Sequence, residues 1–515
     1  MTKFILGLIL VLSLVFVVWS SDRSASVRGE QPVKSEGTLM LPISTVIVPH
    51  HLLAKDDISH TLQEVSEAVG GDTIERVILL SPNHFDVGRT WIIGSAKTWD
   101  TPAGALVADS MFLDTIRNRD TTFGQAILER EHGIRDLLPF VKHYFPHATL
   151  VPLALRDGIP NTTVDRLAES LSAGSEHTRT LLIVSADFSH YLDWNFSRFH
   201  DNRAILALSG FHLEQIEKLD VDCIGCLRVA LQYAKSAKTE HFHLVARSSS
   251  LEVAGENVIG EETSHVAGYF SQEAPDVESA SSQSVDLLFS GSIRPEEMTE
   301  NARRIYMSQD ANIFMLDGDI TLSRESYLPH QQGIIASGAK IFEPGETYSV
   351  REIRGRKMAF VELSSQYSPD TVLTAVAQAK QEVDYTVVYW RTAIPNQVEW
   401  IDMSHALADS GADLIIGNQN LGAPSLEMYH DHVILSSLED TPLCGTTRTC
   451  PALMVGVSLQ SSQLQYFLMP VKREKSVSLA TEPLRSDFLR RLSGTSSDRM
   501  VRSMIEQGFF ALEKR

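Results

Sequence analysis

The sequence predicts an α/β protein with two α/β domains, each built around a central sheet of largely parallel or mixed strands. Short apolar runs rich in β-branched residues alternate with segments of helical periodicity, such as "SHTLQEVSEAV" at residues 59–69. Unbroken apolar strands separated by helices are typical of a sheet that is covered on both faces. The chain has 515 residues, which is too long for one ordinary hydrophobic core.

The first 20 residues predict a signal anchor or transmembrane segment. Lys3 precedes an unbroken apolar run from Phe4 to Trp19, which has the length of a signal-peptide core and is short for a membrane span. Residues 21–38 then form a polar tether. We therefore expect a single-pass cell-membrane protein with both domains outside the cytoplasm, or a secreted protein if the signal is cleaved.

A polar, acidic stretch divides the rest of the chain. Residues 273–284 are rich in Ser, Ala and acidic side chains, and they predict a linker between a first domain at 39–272 and a second at 285–471. Residues 472–515 place Met500, Met504 and Phe510 near helical spacing, which predicts a helical C-terminal tail.

The charge of the chain argues against one class of partner. A formal net charge of -20 leaves no surplus of Lys and Arg to neutralise phosphates, so nucleic acid is not expected as a partner. No protein partner is indicated by any segment.

Three apolar runs are each followed within a few residues by a histidine. They are "TVIVPHH" at residues 45–51, "RVILLSPNH" at 76–84 and "LLIVSADFSHYL" at 181–192. In an open parallel sheet, ligands bind at the carboxyl ends of the strands. Because imidazole is both a common metal ligand and a general base near neutral pH, His50 (or its neighbour His51), His84 and His190 predict a shared metal or acid–base site.

Several spaced motifs carry a resemblance to a known family. They are, in order, "VIVPHH", "LLSPNHF", "WDTPAGAL", "EREHGIRDLLPF", "VSADFSHY" and "HVAGYF". Residues 39–270 thereby resemble the Memo-like family, whose bacterial members are called AmmeMemoRadiSam system protein B. That family shares its fold with the class III extradiol ring-cleaving dioxygenases, so the resemblance implies an extradiol dioxygenase-like fold.

The resemblance also implies a site for one divalent metal ion, which the ligand types leave open as iron, copper or zinc. Its ligands would be His50, His84 and Cys223. The family usually has Cys-Gly at the last position, whereas this chain has Cys223-Ile224-Gly225-Cys226, so Cys226 is an alternative thiol ligand.

The same resemblance assigns roles around the metal. His190 would act as the acid–base group, and Asp187 would be the carboxylate that orients it. Glu131 and His132 would line the pocket, with His132 as a further catalytic candidate; alternatively, they cap the helix that follows.

Residues 285–471 faintly resemble the CapA-type capsule-synthesis family, which has a metallophosphatase-like fold. The segments "GRKMAFVEL", "DYTVVYW" and "SGADLIIGNQN" follow that family's order. Where active members carry metal-binding His and Asp, this chain has residues that cannot bridge two cations, such as Gly291-Ser292. The resemblance therefore implies a degenerate, non-catalytic module.

Three functions remain open at this point. The first is a metal-binding protein that acts as a metal-dependent redox enzyme on a small molecule whose identity is unknown. The second is a non-catalytic scaffold that combines two inactive enzyme folds in the cell envelope, and the third is capsule or poly-γ-glutamate synthesis. Ring cleavage itself is disfavoured, because that site uses two His and a carboxylate and Cys223 takes the place of the carboxylate.

Overall fold

The first half of the chain folds around a nine-stranded mixed sheet. Its strands and those of a small neighbouring hairpin (β4 and β5) are β1 (Ile43–Val48), β2 (Arg76–Pro82), β3 (Ile92–Gly94), β4 (Trp99–Thr101), β5 (Gly104–Leu106), β6 (Thr121–Phe123), β7 (Thr149–Leu155), β8 (Thr180–Ser185), β9 (His190–Asp193), β10 (His241–Ser249) and β11 (Glu261–Ser271). In the large sheet the spatial order is β10-β11-β1-β8-β2-β7-β3-β6, and β9 pairs with β11.

Four parallel strands, β1, β8, β2 and β7, form the centre of this sheet. Every residue of β1 and β8 is buried, as expected for apolar strands that are covered on both faces. The helices of this half are α1 (Lys55–Val69), α2 (Ser110–Thr115), α3 (His132–Arg135), α4 (Leu138–Tyr144), α5 (Asn161–Ala173), α6 (Trp194–Ser209), α7 (Leu213–Ile216), α8 (Ile224–Ser236) and α9 (Ser250–Ala254). The prediction of an α/β fold is confirmed.

Two further sheets lie in the second half. Their strands are β12 (Val285–Ser290), β13 (Asn312–Met315), β14 (Ile334–Ala336), β15 (Tyr348–Ile353), β16 (Arg356–Leu363), β17 (Tyr385–Trp390), β18 (Leu414–Gly417), β19 (Leu426–Tyr429), β20 (His432–Leu435), β21 (Cys450–Leu459), β22 (Gln463–Arg473), β23 (Val477–Leu479) and β24 (Phe509–Glu513). One sheet has the order β14-β13-β12-β21-β22-β23 with β24 on β22, and the other is β15-β16-β17-β18-β20-β19. The helices are α10 (Pro369–Lys380), α11 (Gln397–Asp409), α12 (Leu484–Ser493) and α13 (Arg499–Gln507).

This computed structural model describes residues 41–124, 128–217, 219–255, 260–275, 285–290, 312–315, 334–336, 348–353, 356–363, 368–390, 396–417, 424–438, 450–473, 477–494, 496 and 498–513. The predicted anchor at 1–20 and the tether at 21–38 lie outside these ranges. So does most of the predicted linker, and so does Gly291-Ser292. Within the ranges, no helix combines the length and the apolar character needed to cross a membrane.

The predicted C-terminal tail is only partly helical. Helices α12 and α13 occupy much of it, but Phe510 lies on strand β24 and pairs with Tyr466 of β22. The helical spacing of Met500 and Met504 therefore does not continue to Phe510, because Gly508 ends α13 in a left-handed conformation with φ of 80°.

Helix α6 joins the two halves through a common apolar core. Phe196 and Phe199 are buried with Leu288, Met454 and Phe467 of the second half. Nearly every side chain of α6 is buried, which is typical of a helix with neighbours on all sides rather than of one at a surface. The described residues from 41 to 513 accordingly form one compact unit.

Close backbone approach makes this contact possible. A Cβ atom on Gly456 of β21 would lie 3.0 Å from the Phe199 ring, so any larger residue there would push the ring away from this strand. Polar groups complete the contact: Asn195 Nδ2 donates to the carbonyl oxygen of Leu468 at 3.1 Å. The predicted domain boundary at 273–284 stays a prediction, but it would separate two halves that share a core.

Glu262 of β11 predicts how the stability of the chain depends on pH. Its side chain is 3% exposed, and burial, which outweighs the Ser249 hydroxyl, raises its pKa to about 7. A raised pKa in the folded state contributes stability below the unfolded value of about 4.5, and this contribution is lost as the pH rises through 7. We expect Glu262→Gln to raise the free energy of unfolding at pH 8 by on the order of 2 kcal/mol and to change it little at pH 5.

Denaturant unfolding of both proteins at the two pH values measures this difference. The exposed neighbour Glu261 offers a matched control, since Glu261→Gln removes the same charge without the burial. An equal effect of the two substitutions at pH 8 would show that overall charge, and not the burial of Glu262, controls the stability.

Candidate metal centre

Three neighbouring parallel strands deliver polar side chains to one edge of the sheet. His50 follows the end of β1 by two residues, Asp187 follows β8 by two, and His84 follows β2 by two. Because β8 lies between β1 and β2 in a parallel arrangement, these equivalent positions lie side by side. The three apolar runs that lead to histidine in the sequence therefore end at one edge of the sheet.

A carboxylate completes this arrangement from a loop. Asp222 Oδ2 lies 3.3 Å from His50 Nε2 and 3.4 Å from His84 Nε2. Asp187 Oδ2 lies 3.4 Å from the same nitrogen of His50. The loop is held in place because Asp187 N–H donates to Asp222 Oδ2 at 3.2 Å and Asp222 N–H donates to the Asp187 carbonyl at 3.1 Å.

Outer partners orient the two imidazoles. Ser185 Oγ lies 3.0 Å from His50 Nδ1, and Glu131 Oε1 lies 2.6 Å from His84 Nδ1. A carboxylate only accepts hydrogen bonds, so His84 donates from Nδ1 and turns Nε2 toward Asp222. Carboxylates that fix a histidine in this way are typical of metal sites.

Glu131 is itself fixed at the start of α3. Its oxygens accept hydrogen bonds from the backbone N–H of Gly133 at 3.2 Å and of His84 at 3.0 Å. A Cβ atom on Gly133 would lie 2.3 Å from Ser81 Oγ, so glycine allows α3 to approach the end of β2. The alternative interpretation of Glu131 as a helix cap is therefore correct as well, since the same carboxylate caps α3 and holds His84.

Burial and mutual charge shift the pKa values of the residues in this group. Burial and the nearby charge of Asp222 raise the pKa of Asp187, and burial raises the pKa of Asp222 as well. Burial alone would lower the pKa of His84, but its hydrogen bonds to Asp222 and Glu131 raise it to about 9. Burial and the charge of His84 lower the pKa of His50 well below its ordinary value.

The residues fit a divalent cation. Nitrogen of His50 and His84 and oxygen of Asp187 and Asp222 converge, and ligand atoms of His50, Asp187 and Asp222 all lie within 4.8 Å of one another. Asp222 Oδ1 is buried and has no hydrogen-bond partner among the residues that the structure describes. A cation would relieve the repulsion between the two carboxylates and occupy this unused acceptor.

The two other histidines predicted from the sequence lie at the same pocket. The His132 ring stacks on the His84 ring with centroids 4.0 Å apart and lies 4.9 Å from that of His50. Its side chain is 37% exposed, so it forms part of the open wall. Burial, followed by the charge of His190, lowers the pKa of His51. His190 itself begins β9, where its backbone N–H donates to Asp220 at 3.4 Å.

Cys223 has a different environment from the one expected of a ligand. Its sulfur is bonded to that of Cys226, and the pair lies at the start of α8 directly after Asp222. A disulfide sulfur is not the thiolate that binds metal ions. Metal binding by Cys223 therefore stays a prediction for the chain with reduced cysteines. In the disulfide-bonded chain, the preceding residue, Asp222, faces the two histidines.

Sequence reasoning missed Asp222, Ser185 and His265. The only signal for Asp222 is its position next to the suspected ligand Cys223. His265 stands in the motif "HVAGYF", and its Nε2 lies 3.3 Å from His51 Nδ1. Burial, followed by the charges of His51 and His190, lowers the pKa of His265 to about 3, so this imidazole is neutral.

Comparison with known proteins identifies the region that holds this centre. Residues 32–269 match the sequence model of the family described as "Memo-like protein". A MEMO1 family protein of Caldivirga maquilingensis is 24% identical over 255 residues, which cover 46% of this chain and 86% of that protein. One from Archaeoglobus fulgidus is 28% identical over 202 residues, which cover 38% of this chain and 74% of that protein.

Similarity to two solved structures is distant in sequence. An uncharacterised protein of Escherichia coli K12 aligns with a TM-score of 0.27 and 10% identity, over 44% of this chain and 99% of that one. The predicted CapA-type resemblance of residues 285–471 has no support among these findings and stays a prediction. Residues 32–269 are thus similar to the Memo-like family and contain candidate metal-binding His and Asp groups.

Proposed function

We propose that the Memo-like region, residues 32–269, binds one divalent metal ion between His50, His84 and Asp222 and carries out metal-dependent oxygen chemistry on a small molecule. The observation that carries this proposal is the position of Asp222 Oδ2, 3.3 Å and 3.4 Å from the Nε2 atoms of the two histidines. Two histidines and one carboxylate with open positions are the ligand set of non-haem Fe(II) oxygenases. Among iron, copper and zinc, this set favours iron.

The same carboxylate supports ring-cleaving chemistry. The sequence argued against it because the family resemblance puts Cys223 in the place of the carboxylate. In the structure, Asp222 lies beside both histidines and Cys223 is in a disulfide. Oxidative opening of a catechol-type ring is therefore the reaction class that we propose first. The membrane anchor and the extracytoplasmic location remain proposals that do not bear on this chemistry.

The side chains around the centre have different roles in the proposed reaction. A bound iron ion would supply Lewis acidity and exchange electrons with substrate and dioxygen. Ser185 and Glu131 hold the two imidazoles in one orientation, and the backbone N–H groups of His50 and His51 hold Asp187. His132 lies on the open side of the centre, and His132 and His190 are the residues that would take up or return a substrate hydroxyl proton.

His190→Ala separates chemistry from metal binding. We expect this variant to keep its iron and to lose about 10²–10⁴-fold in rate, because His190 transfers a proton and is not a ligand. Dioxygen uptake by the iron-loaded full chain with a panel of catechols measures the rate, and metal analysis measures the iron. His84→Ala is the comparison variant, and we expect it to lose both the bound iron and the dioxygen uptake.

The outcomes distinguish an enzyme from a binding protein. Iron-loaded wild-type protein that takes up no dioxygen with any catechol would contradict the ring-cleaving proposal. It would then favour the non-catalytic scaffold that the sequence also allows. Loss of iron in His190→Ala would instead make His190 a ligand.

A further inference from the structure

A second group of ligand-type side chains lies on the other side of Asp187. It consists of His51, Asp187 and His265, whose ligand atoms all lie within 4.8 Å of one another. His51 follows His50 in extended backbone, with φ of -69° and ψ of 113°, so the two side chains point in opposite directions. His50 faces the centre described above, and His51 faces β11.

A chain of hydrogen bonds prepares His265 as a ligand. Ser248 Oγ donates to Asp57 Oδ2 at 2.5 Å, because a carboxylate only accepts. The same Ser248 oxygen therefore accepts from His265 Nδ1, which lies 3.2 Å away. This leaves the proton of His265 on Nδ1 and the lone pair on Nε2, directed at His51 Nδ1 at 3.3 Å.

Such a carboxylate–hydroxyl–imidazole chain resembles the outer partners that orient metal-binding histidines. The His265 side chain is 1% exposed, whereas His51 is partly exposed. The group thus has a buried anchor and a side that is open to solvent. The backbone N–H groups of His50 and His51 fix the carboxylate between the two histidine pairs.

We propose that His51, Asp187 and His265 bind a second divalent transition-metal ion, next to the site formed by His50, His84 and Asp222. Two histidines and one carboxylate are also the ligand set of zinc sites that keep an open position. His51 binds through Nδ1 once its proton has moved to Nε2, so the metal replaces the hydrogen bond between His51 and His265. The second site goes beyond the proposed oxygen chemistry and does not require it.

Metal stoichiometry tests the second site. The full-length chain is stripped with a chelator and dialysed against Zn(II), and the bound metal is then measured. We expect two equivalents for the wild type, one for His51→Ala, one for His265→Gln and one for His84→Ala. The exposed His241 supplies the control, since His241→Ala should keep both equivalents.

The pattern of loss separates this proposal from the previous one. A wild type that binds a single equivalent, removed by His84→Ala and kept by His51→Ala, would overturn the second site alone. Loss of that equivalent in His51→Ala but not in His84→Ala would overturn the first site and support the second. Because His51 is partly exposed, its variant stays informative even if the buried His265→Gln variant does not fold.

Discussion

Asp222→Ala is expected to weaken metal binding at the centre formed with His50 and His84. The substitution deletes the oxygen that lies close to both Nε2 atoms. The remaining carboxylate, Asp187, has an oxygen 3.4 Å from His50 Nε2, so the variant keeps a weaker site. The loss of affinity should exceed the 10–100-fold that is typical when only an outer partner of a metal site is removed. Equilibrium dialysis of the full-length variant against Fe(II) under anaerobic conditions, or against Zn(II), measures the change.

The comparison variant is the double substitution Cys223→Ser with Cys226→Ser. It removes the disulfide and any thiolate, and we expect it to keep the metal. The reverse pattern, in which the double variant loses the metal and Asp222→Ala keeps it, would establish the thiolate ligand that the family resemblance implies. Asp222→Ala should remain folded without metal, because it removes the negative charge that, together with the larger effect of burial, raises the pKa of Asp187.

Phe199→Ala is expected to lower the free energy of unfolding by about 3–5 kcal/mol, the usual cost of deleting a buried aromatic ring. The Phe199 side chain is 1% exposed, and its ring centroid lies 5.4 Å from that of Phe467 in the second half. Because this ring belongs to both halves, they should be destabilised together. Hydrogen exchange followed in β8 and in β17 measures the opening of each half.

Phe85→Ala is a control for this effect, since the Phe85 side chain is 55% exposed and its removal leaves no cavity. Faster exchange in β8 with unchanged exchange in β17 would show that the halves open independently. A fragment ending at residue 272 should expose the apolar face of α6 and aggregate, whereas an autonomous, cooperatively melting fragment would contradict a common core.

The rim of the sheet could be predicted from the sequence, because it depends on local patterns. A buried strand is recognisable from its apolar run, and the residues just after parallel strands meet at one edge whatever the rest of the fold. The sequence placed His50, His84 and His190 at this edge; in the structure Asp187, and not His190, holds the position after β8 that is equivalent to those of His50 and His84. The α/β class follows from the same alternation of strands and helices.

The third ligand depends on long-range packing, which a local pattern does not contain. Asp222 reaches the histidines because its loop is hydrogen-bonded to the end of β8, 35 residues earlier. His265 and His51 are 214 residues apart in the sequence. They meet because β11 pairs antiparallel with β1. The burial of α6 likewise depends on strands of the second half and left no recognisable period in the sequence.

The position of β1 in the sheet also constrains the order of events during synthesis. This strand emerges first among those of the sheet, yet its two neighbours are β8 and β11, and His50 contacts residues 135 and 137 positions later. A nascent chain shorter than about residue 270 therefore exposes an unpaired edge of β1, which is prone to association with other strands. Until translation has passed β11, that edge of β1 has no partner strand within its own sheet.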